Sequence, residues 1–177
     1  MVQLIDIFGN KKILTILHFF IMNPSIEISQ TELIKKTKIA KATAVKWLDF
    51  LVKNSLLNYK KIGVTNLYRL NNENLIIKQL KIINTLTQLE DLNKLKNLEI
   101  YLYGSSARGE DIEKSDIDLL VIGNIKRNEI INSIDNLSKK ISKKITFNIF
   151  SNIEWSMMQK KDRAYYERVE KDKIRLI

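Results

Sequence analysis

Two carboxylates one residue apart, Asp116 and Asp118, stand at the head of an apolar run, Leu119-Leu120-Val121-Ile122. In a strand, residues i and i+2 point to one face, so the pair converges on one spot. Like charges that close repel unless something positive joins them. A hard divalent cation such as Mg²⁺, held by carboxylate oxygens with phosphates completing its shell, is a common solution. Upstream, the apolar segment Leu98-Glu99-Ile100-Tyr101-Leu102-Tyr103 runs into Gly104-Ser105-Ser106-Ala107-Arg108-Gly109. A glycine-serine turn after a strand offers backbone N–H groups and a hydroxyl to a phosphate, and the helix that follows adds its dipole.

These residues form an ordered pattern. Tyr103-Gly104-Ser105 is followed by ten residues and then by Asp116-Ile117-Asp118-Leu119, with Arg108-Gly109 and Ser115 between them. This pattern resembles the nucleotidyltransferase fold of the DNA polymerase beta superfamily, in its minimal nucleotidyltransferase (MNT) branch. The resemblance covers about residues 85–177. It implies that Gly104, Ser105 and Arg108 face the phosphates of a nucleoside triphosphate and that Asp116 and Asp118 are catalytic and metal-binding. In active relatives two Mg²⁺ ions activate an acceptor hydroxyl and stabilise the leaving pyrophosphate, which is catalysis by positioning and charge. A third carboxylate on a neighbouring strand usually completes the metal site.

That third carboxylate is missing from its expected place. A helix is expected over Glu129–Ser142, with Ile130, Ile131, Ile134, Leu137 and Ile141 on its buried side, and then a strand over Ile145–Phe150. Thr146 and Asn148 share one face of that strand, and neither can act as a base at neutral pH. Glu154 is expected to be an exposed residue at the start of a helix. Glu110, Asp111 and Glu113 are expected to be solvated in the loop before Asp116. The function therefore divides. One reading is a DNA-binding transcriptional regulator whose nucleotidyltransferase-like domain binds Mg²⁺-NTP but is weak or inactive in catalysis. The alternative is an active Mg²⁺-dependent nucleotidyltransferase, akin to MNT antitoxins, that moves a nucleoside monophosphate onto a partner toxin protein or another macromolecule.

Charge directs attention to the other half of the chain. The 177 residues carry 30 Lys/Arg and 20 Asp/Glu, a net charge of +10, and residues 1–70 hold eleven of those cations against four anions. A basic N-terminal module is the footprint expected of a nucleic-acid-binding domain, although the chain's richness in lysine inflates the total. Ile13, Ile16, Leu17 and Phe20 follow a helical period that Asn23-Pro24 stops. Ser29 with Glu32 makes a capping box for a short helix near 30–36. A further helix from Lys41 to Lys53 buries Val45, Leu48, Leu51 and Val52. Strands at 56–60 and 64–70 then flank a turn at Lys61-Ile62-Gly63.

Helix–helix–helix–hairpin over about residues 8–71 resembles the winged helix-turn-helix family. That resemblance implies double-stranded DNA as partner. Lys41, Thr43 and Lys46 would lie nearest the bases or phosphates, and Lys60 and Lys61 would lie on the backbone. Ile76, Leu80, Ile83, Leu86, Leu89 and Leu92 describe a helix over about 73–97 that links the modules and pairs protomers into a homodimer.

The expected fold is α+β, with a winged helix-turn-helix at 1–71, a linker helix at 72–97 and a nucleotidyltransferase fold with a mixed sheet at 98–177. His18, alone among apolar neighbours, is a surface or packing residue. Tyr165 and Tyr166 in the C-terminal helix are expected to pack rather than stack on a base. With no cysteine and one histidine, the chain has no disulfide scaffold, thiolate zinc site or histidine metal cluster. No apolar run is long enough to span a bilayer, so no membrane partner is expected. The opening residues MVQLIDIFGN show no signal peptide, and a cytoplasmic location is expected.

Overall fold

The computed structural model describes residues 7–177, and residues 1–6, on which the signal-peptide expectation partly rests, lie outside them. The chain divides between Lys78 and Gln79 into two compact units. Among the described residues no helix is long and apolar enough to cross a membrane.

The first unit opens with α1 (Lys11–Met22), capped by the Asn10 side chain, which accepts from the Lys12 amide. Its stripe of Ile13, Ile16, Leu17 and Phe20 is fully buried, while His18 is exposed. A two-residue strand, β1 (Ile28–Ser29), precedes α2 (Gln30–Thr37). Ser29 and Glu32 form the expected capping box, and Lys38 in the left-handed conformation ends the helix. α3 (Lys41–Lys53) buries Ala44, Leu48 and Leu51. The expected stripe is corrected here. Ala44, Leu48 and Leu51 lie at i, i+4 and i+7 and face the core, which leaves Val45 and Val52 on the flank, half-buried.

β2 (Leu57–Ile62) and β3 (Thr65–Leu70) pair antiparallel with Ile62 opposite Thr65, so the turn is only Gly63-Val64. It is tighter than the expected three-residue turn because Gly63 adopts φ +59°, a left-handed state that suits two-residue hairpins. Lys60 and Lys61 therefore belong to β2. β1 adds to the outer edge of β3, giving the order β1-β3-β2.

α4 (Leu75–Gln88) is capped by Asn74, whose side-chain oxygen accepts from the amides of Ile76 and Ile77. It is shorter than the expected helix over 73–97. The chain tightens into a 3₁₀ segment, Glu90–Lys94. Residues three apart eclipse in that geometry, which places Leu89 and Leu92 side by side in the core. Asn97, at φ +63°, then turns the chain into the second sheet.

That sheet has the order β6-β5-β4-β7, from β4 (Glu99–Tyr103), β5 (Ile117–Ile122), β6 (Ile145–Phe150) and β7 (Ile174–Arg175). β5 and β6 are parallel and the other pairs antiparallel, a mixed sheet. α5 (Ser105–Arg108) follows β4, and α6 (Arg127–Ile141) joins β5 to β6. α6 packs Ile130, Ile134 and Leu137 onto one face of the sheet, against Leu102, Leu119, Val121 and Phe147. α7 (Asn152–Lys161) and α8 (Arg163–Asp172) cover the other face, where Trp155 and Val169 meet Tyr103, Leu120 and Ile122. β5 is covered on both sides, which explains its unbroken apolar run after Asp118.

Candidate functional site

The sheet register assembles the site. Tyr103 pairs with Asp118 across β4–β5, and Asp118 pairs with Thr146 across β5–β6. Gly104, Asp118 and Thr146 therefore meet at one end of the sheet. Gly104 adopts φ +75°, and a Cβ there would lie 2.7 Å from Asp118 Oδ2. Only glycine lets the chain turn into α5 at this distance from the carboxylate. On the far side the Thr146 hydroxyl donates to Asp118 Oδ1 at 2.6 Å.

Asp116 lies just before β5, one residue ahead of the strand proper. Its Oδ2 is 2.7 Å from Nζ of Lys144, the residue just before β6. Asp116 and Asp118 are both partly exposed. Among the described residues no group of three or more His, Cys, Asp or Glu side chains gathers to hold a metal. Thr146 occupies the strand position beside Asp118. Asn148, two residues on, turns its amide to the hydroxyls of Tyr165 at 3.0 Å and Tyr103 at 3.3 Å. Burial, followed by the neighbouring Tyr103 hydroxyl, pushes the Tyr165 phenol above its usual range. Tyr165 packs edge-on against Trp155 and Tyr103, and Tyr166 lies against Trp155.

The donor chemistry fits one hard cation. Carboxylate and hydroxyl oxygens suit Mg²⁺, which commonly takes one or two carboxylates and fills its shell with phosphate oxygens and water. The set offers no third carboxylate for a second ion. Glu154 is committed elsewhere, because it closes a capping box with Ser151 at the start of α7. The Ser151 backbone and hydroxyl hold its carboxyl below the usual range.

Two flanking residues stand apart from their sequence reading. Asp111 is buried rather than solvated, only 6% exposed. Lys143 Nζ lies 2.6 Å from its Oδ2, and Lys81 Nζ, from α4, donates to its backbone carbonyl. A carboxylate leaves water only when partners replace its hydration; Lys143 does so at Oδ2, while Oδ1 has the Lys81 charge at 3.5 Å but accepts no hydrogen bond among the described residues. Burial lowers the Lys81 ammonium from its usual value, and Asp111 opposes that shift. Arg108 is already engaged by two carboxylates, Glu110 at 2.7 Å and Asp172 of α8 at 2.8 Å. It straps the Gly-Ser turn to the C-terminal helix, and Glu110 followed by Asp172 raises its pKa. Lys81, Lys143 and Lys144 escape sequence reasoning because their partners lie about thirty residues away. The run Lys139–Lys144, set opposite an acidic loop, was the available signal.

In the first unit, Lys41 and Lys46 are exposed on α3 and Thr43 is half-buried. Lys46 Nζ lies 5.0 Å from the Trp47 ring centre. Lys60 and Lys61 are exposed along β2, with Lys60 paired to Glu27 at 2.9 Å.

A strand, a glycine turn and an aspartate pair on a mixed sheet define the class, and comparison with known families agrees. The nucleotidyltransferase domain model matches residues 82–175, and the chain belongs to that family. A solved Sulfolobus solfataricus protein, assigned as a nucleotidyltransferase, is similar at 26% identity over 55% of this chain and 84% of its own, with a TM-score of 0.32. No curated protein matches the chain.

Replacing Gly104 by Ala puts a side chain at a positive φ that L residues rarely adopt and drives a methyl into Asp118. The expected result is a stability loss of about 1–3 kcal/mol, the scale of a strained backbone position, together with loss of ligand binding at Asp118. Thermal unfolding and Mn²⁺ titration of Gly104→Ala check it, and an unchanged protein would contradict the close packing.

Proposed function

We propose that the chain is a cytoplasmic, winged helix-turn-helix DNA-binding regulator whose nucleotidyltransferase domain takes up Mg²⁺-NTP and turns it over slowly or not at all. The observation that carries this reading is Thr146 in register beside Asp118, hydrogen-bonded to it, where the family resemblance implies a carboxylate. A neutral hydroxyl neither accepts a proton from an acceptor at neutral pH nor adds charge to hold a second ion. Asp118 and Asp116 would hold Mg²⁺, and the Gly104-Ser105 turn would receive the triphosphate. When bound, the ion would neutralise phosphate charge. In wild-type protein with Mg²⁺ and labelled NTPs, transfer should not exceed the Asp118→Ala background. Thr146→Asp should raise it about tenfold or more, at least the scale known for the residues that support metal ligands.

The close approach of Gly104 to Asp118 favours a second reading, because the phosphate turn and the metal-binding aspartate are still held together. On that reading the chain is an active transferase that modifies a hydroxyl on a protein partner such as a toxin. Wild-type transfer well above the Asp118→Ala background would establish it.

DNA binding is supported by the charge of residues 1–70 and by exposed Lys41 and Lys46 on a helix that follows a tight turn. α3 would enter the major groove, Thr43 would lie near the bases, and Lys60 and Lys61 would approach phosphates. In gel shifts on the upstream genomic DNA, the Lys41→Ala/Lys46→Ala double variant should weaken binding uniformly across sequences. It should also flatten the salt dependence of log K by about two. Absence of a shift at low salt would end the DNA reading.

Pairing into a homodimer is supported by apolar residues exposed on α4, with Leu75 at 75%, Ile83 at 50% and Ile76 at 36%. Ile76 and Ile83 are seven residues apart and share a helix face. Sedimentation should show a dimer for the wild type and a monomer for Ile83→Glu; a wild-type monomer would remove the proposal.

A further inference from the structure

Resting on the nucleotide reading above, we propose that Lys144 is a phosphate-binding residue held in reserve. In the free protein its ammonium neutralises Asp116. When nucleotide binds, it moves to the triphosphate and leaves Asp116 to the divalent cation.

The backbone of Lys144 is fixed while its side chain is exposed. Its carbonyl accepts from the Ile117 amide at 2.9 Å, which ties it beside the residue between the two aspartates. The strand pairing that begins with Ile117 opposite Ile145 then sets Lys144 next to Asp116. The side chain beyond that anchor is 71% exposed and reaches Asp116 Oδ2 at 2.7 Å. An exposed ion pair of this kind is weak and easily exchanged. A triphosphate carries more charge than one carboxylate, and a divalent cation competes strongly for that carboxylate.

The neighbouring lysine shows the contrast. Lys143 is 19% exposed and bound to the buried Asp111, so it is built into the fold. Lys144 has no such burial. Asp118 is satisfied separately by Thr146, so Asp116 is the aspartate whose availability depends on an exposed cation. The ammonium therefore suppresses metal binding when no nucleotide is present and contributes to binding once phosphates arrive.

The test uses the full-length protein, Lys144→Met and Lys144→Arg, with thermal unfolding to show that all three fold. Mn²⁺ alone is titrated by electron paramagnetic resonance, and a non-hydrolysable ATP analogue with Mg²⁺ is titrated by calorimetry. Lys144→Met should bind Mn²⁺ alone about threefold to tenfold more tightly and the Mg²⁺-nucleotide about tenfold more weakly, the scale of one unit charge near a divalent ion or phosphate. Lys144→Arg should keep both wild-type values within about twofold, since it retains the charge. A purely structural role would not move the two affinities in opposite directions. Unchanged Mn²⁺ affinity in Lys144→Met overturns the proposal, as does unchanged nucleotide affinity. Nucleotide that binds none of the three proteins overturns the reading of the site itself, and the Lys144 assignment with it.

Discussion

The carboxylates around the second sheet have to be held by partners before the strands can come together. Asp91, Asp111, Asp116 and Asp118 come from three different segments. One short stretch at the end of α6 and the start of β6 answers all four. Lys140 pairs with Asp91, Lys143 with Asp111, Lys144 with Asp116, and the Thr146 hydroxyl with Asp118. Lys140, with Lys94 beside it, holds the Asp91 carboxyl down to about 2. The parallel pairing of β5 with β6 delivers the last two of these partners in order, because consecutive residues on one strand face consecutive residues on the next. The same pairing that builds the core on the α6 face therefore supplies both aspartates of the site with a partner at the strand ends.

Gly104 extends this constraint to the third strand. β4 reaches Asp118 through Tyr103, and the following residue must turn at once into α5. A side chain at that turn would collide with the carboxylate, so the glycine is a consequence of the β4–β5 register and of the choice to place Asp118 there. Arg108 then ties the far end of α5 to Asp172, and Lys81 ties the loop ahead of Asp116 to α4. The first part of the loop between the two motif halves is thus pinned at Arg108 and Asp111. This explains why Asp111 is buried in a segment whose polarity reads as solvent-exposed.

Local patterns were legible in the sequence, and long-range partners were not. The stripe Ile13-Ile16-Leu17-Phe20, the Ser29–Glu32 cap and the glycine-turn and aspartate motifs rest on neighbours within a few residues, where period and cap chemistry act directly. The place of Thr146 beside Asp118 could be anticipated because the strand after α6 has a clear alternation. The fate of Asp111, the engagement of Arg108 and the role of Lys144 depend on partners about 30 to 60 residues away, which no local pattern encodes. The end of α4 was misread for a different reason. Leu86, Leu89 and Leu92 fit a helical stripe and a 3₁₀ turn equally well, since spacing by three serves both.

Thr146 changes the electrostatics of the site as well as its chemistry. A carboxylate at that position would place a third negative charge beside Asp118, and the free protein would then need bound cations to relieve the repulsion. The hydroxyl instead donates to Asp118 and requires no counter-ion. With Lys144 paired to Asp116, Asp118 is the one carboxylate of the two that keeps its charge without a cationic partner among the described residues, stabilised by the Thr146 hydroxyl. A transferase site that relies on two metal ions gains from being short of positive charge until they arrive. A site that reports the presence of a nucleotide gains from being stable without it and from exchanging one weak internal pair for the ligand. On the reading proposed above, the Thr146 and Lys144 contacts belong to the second design.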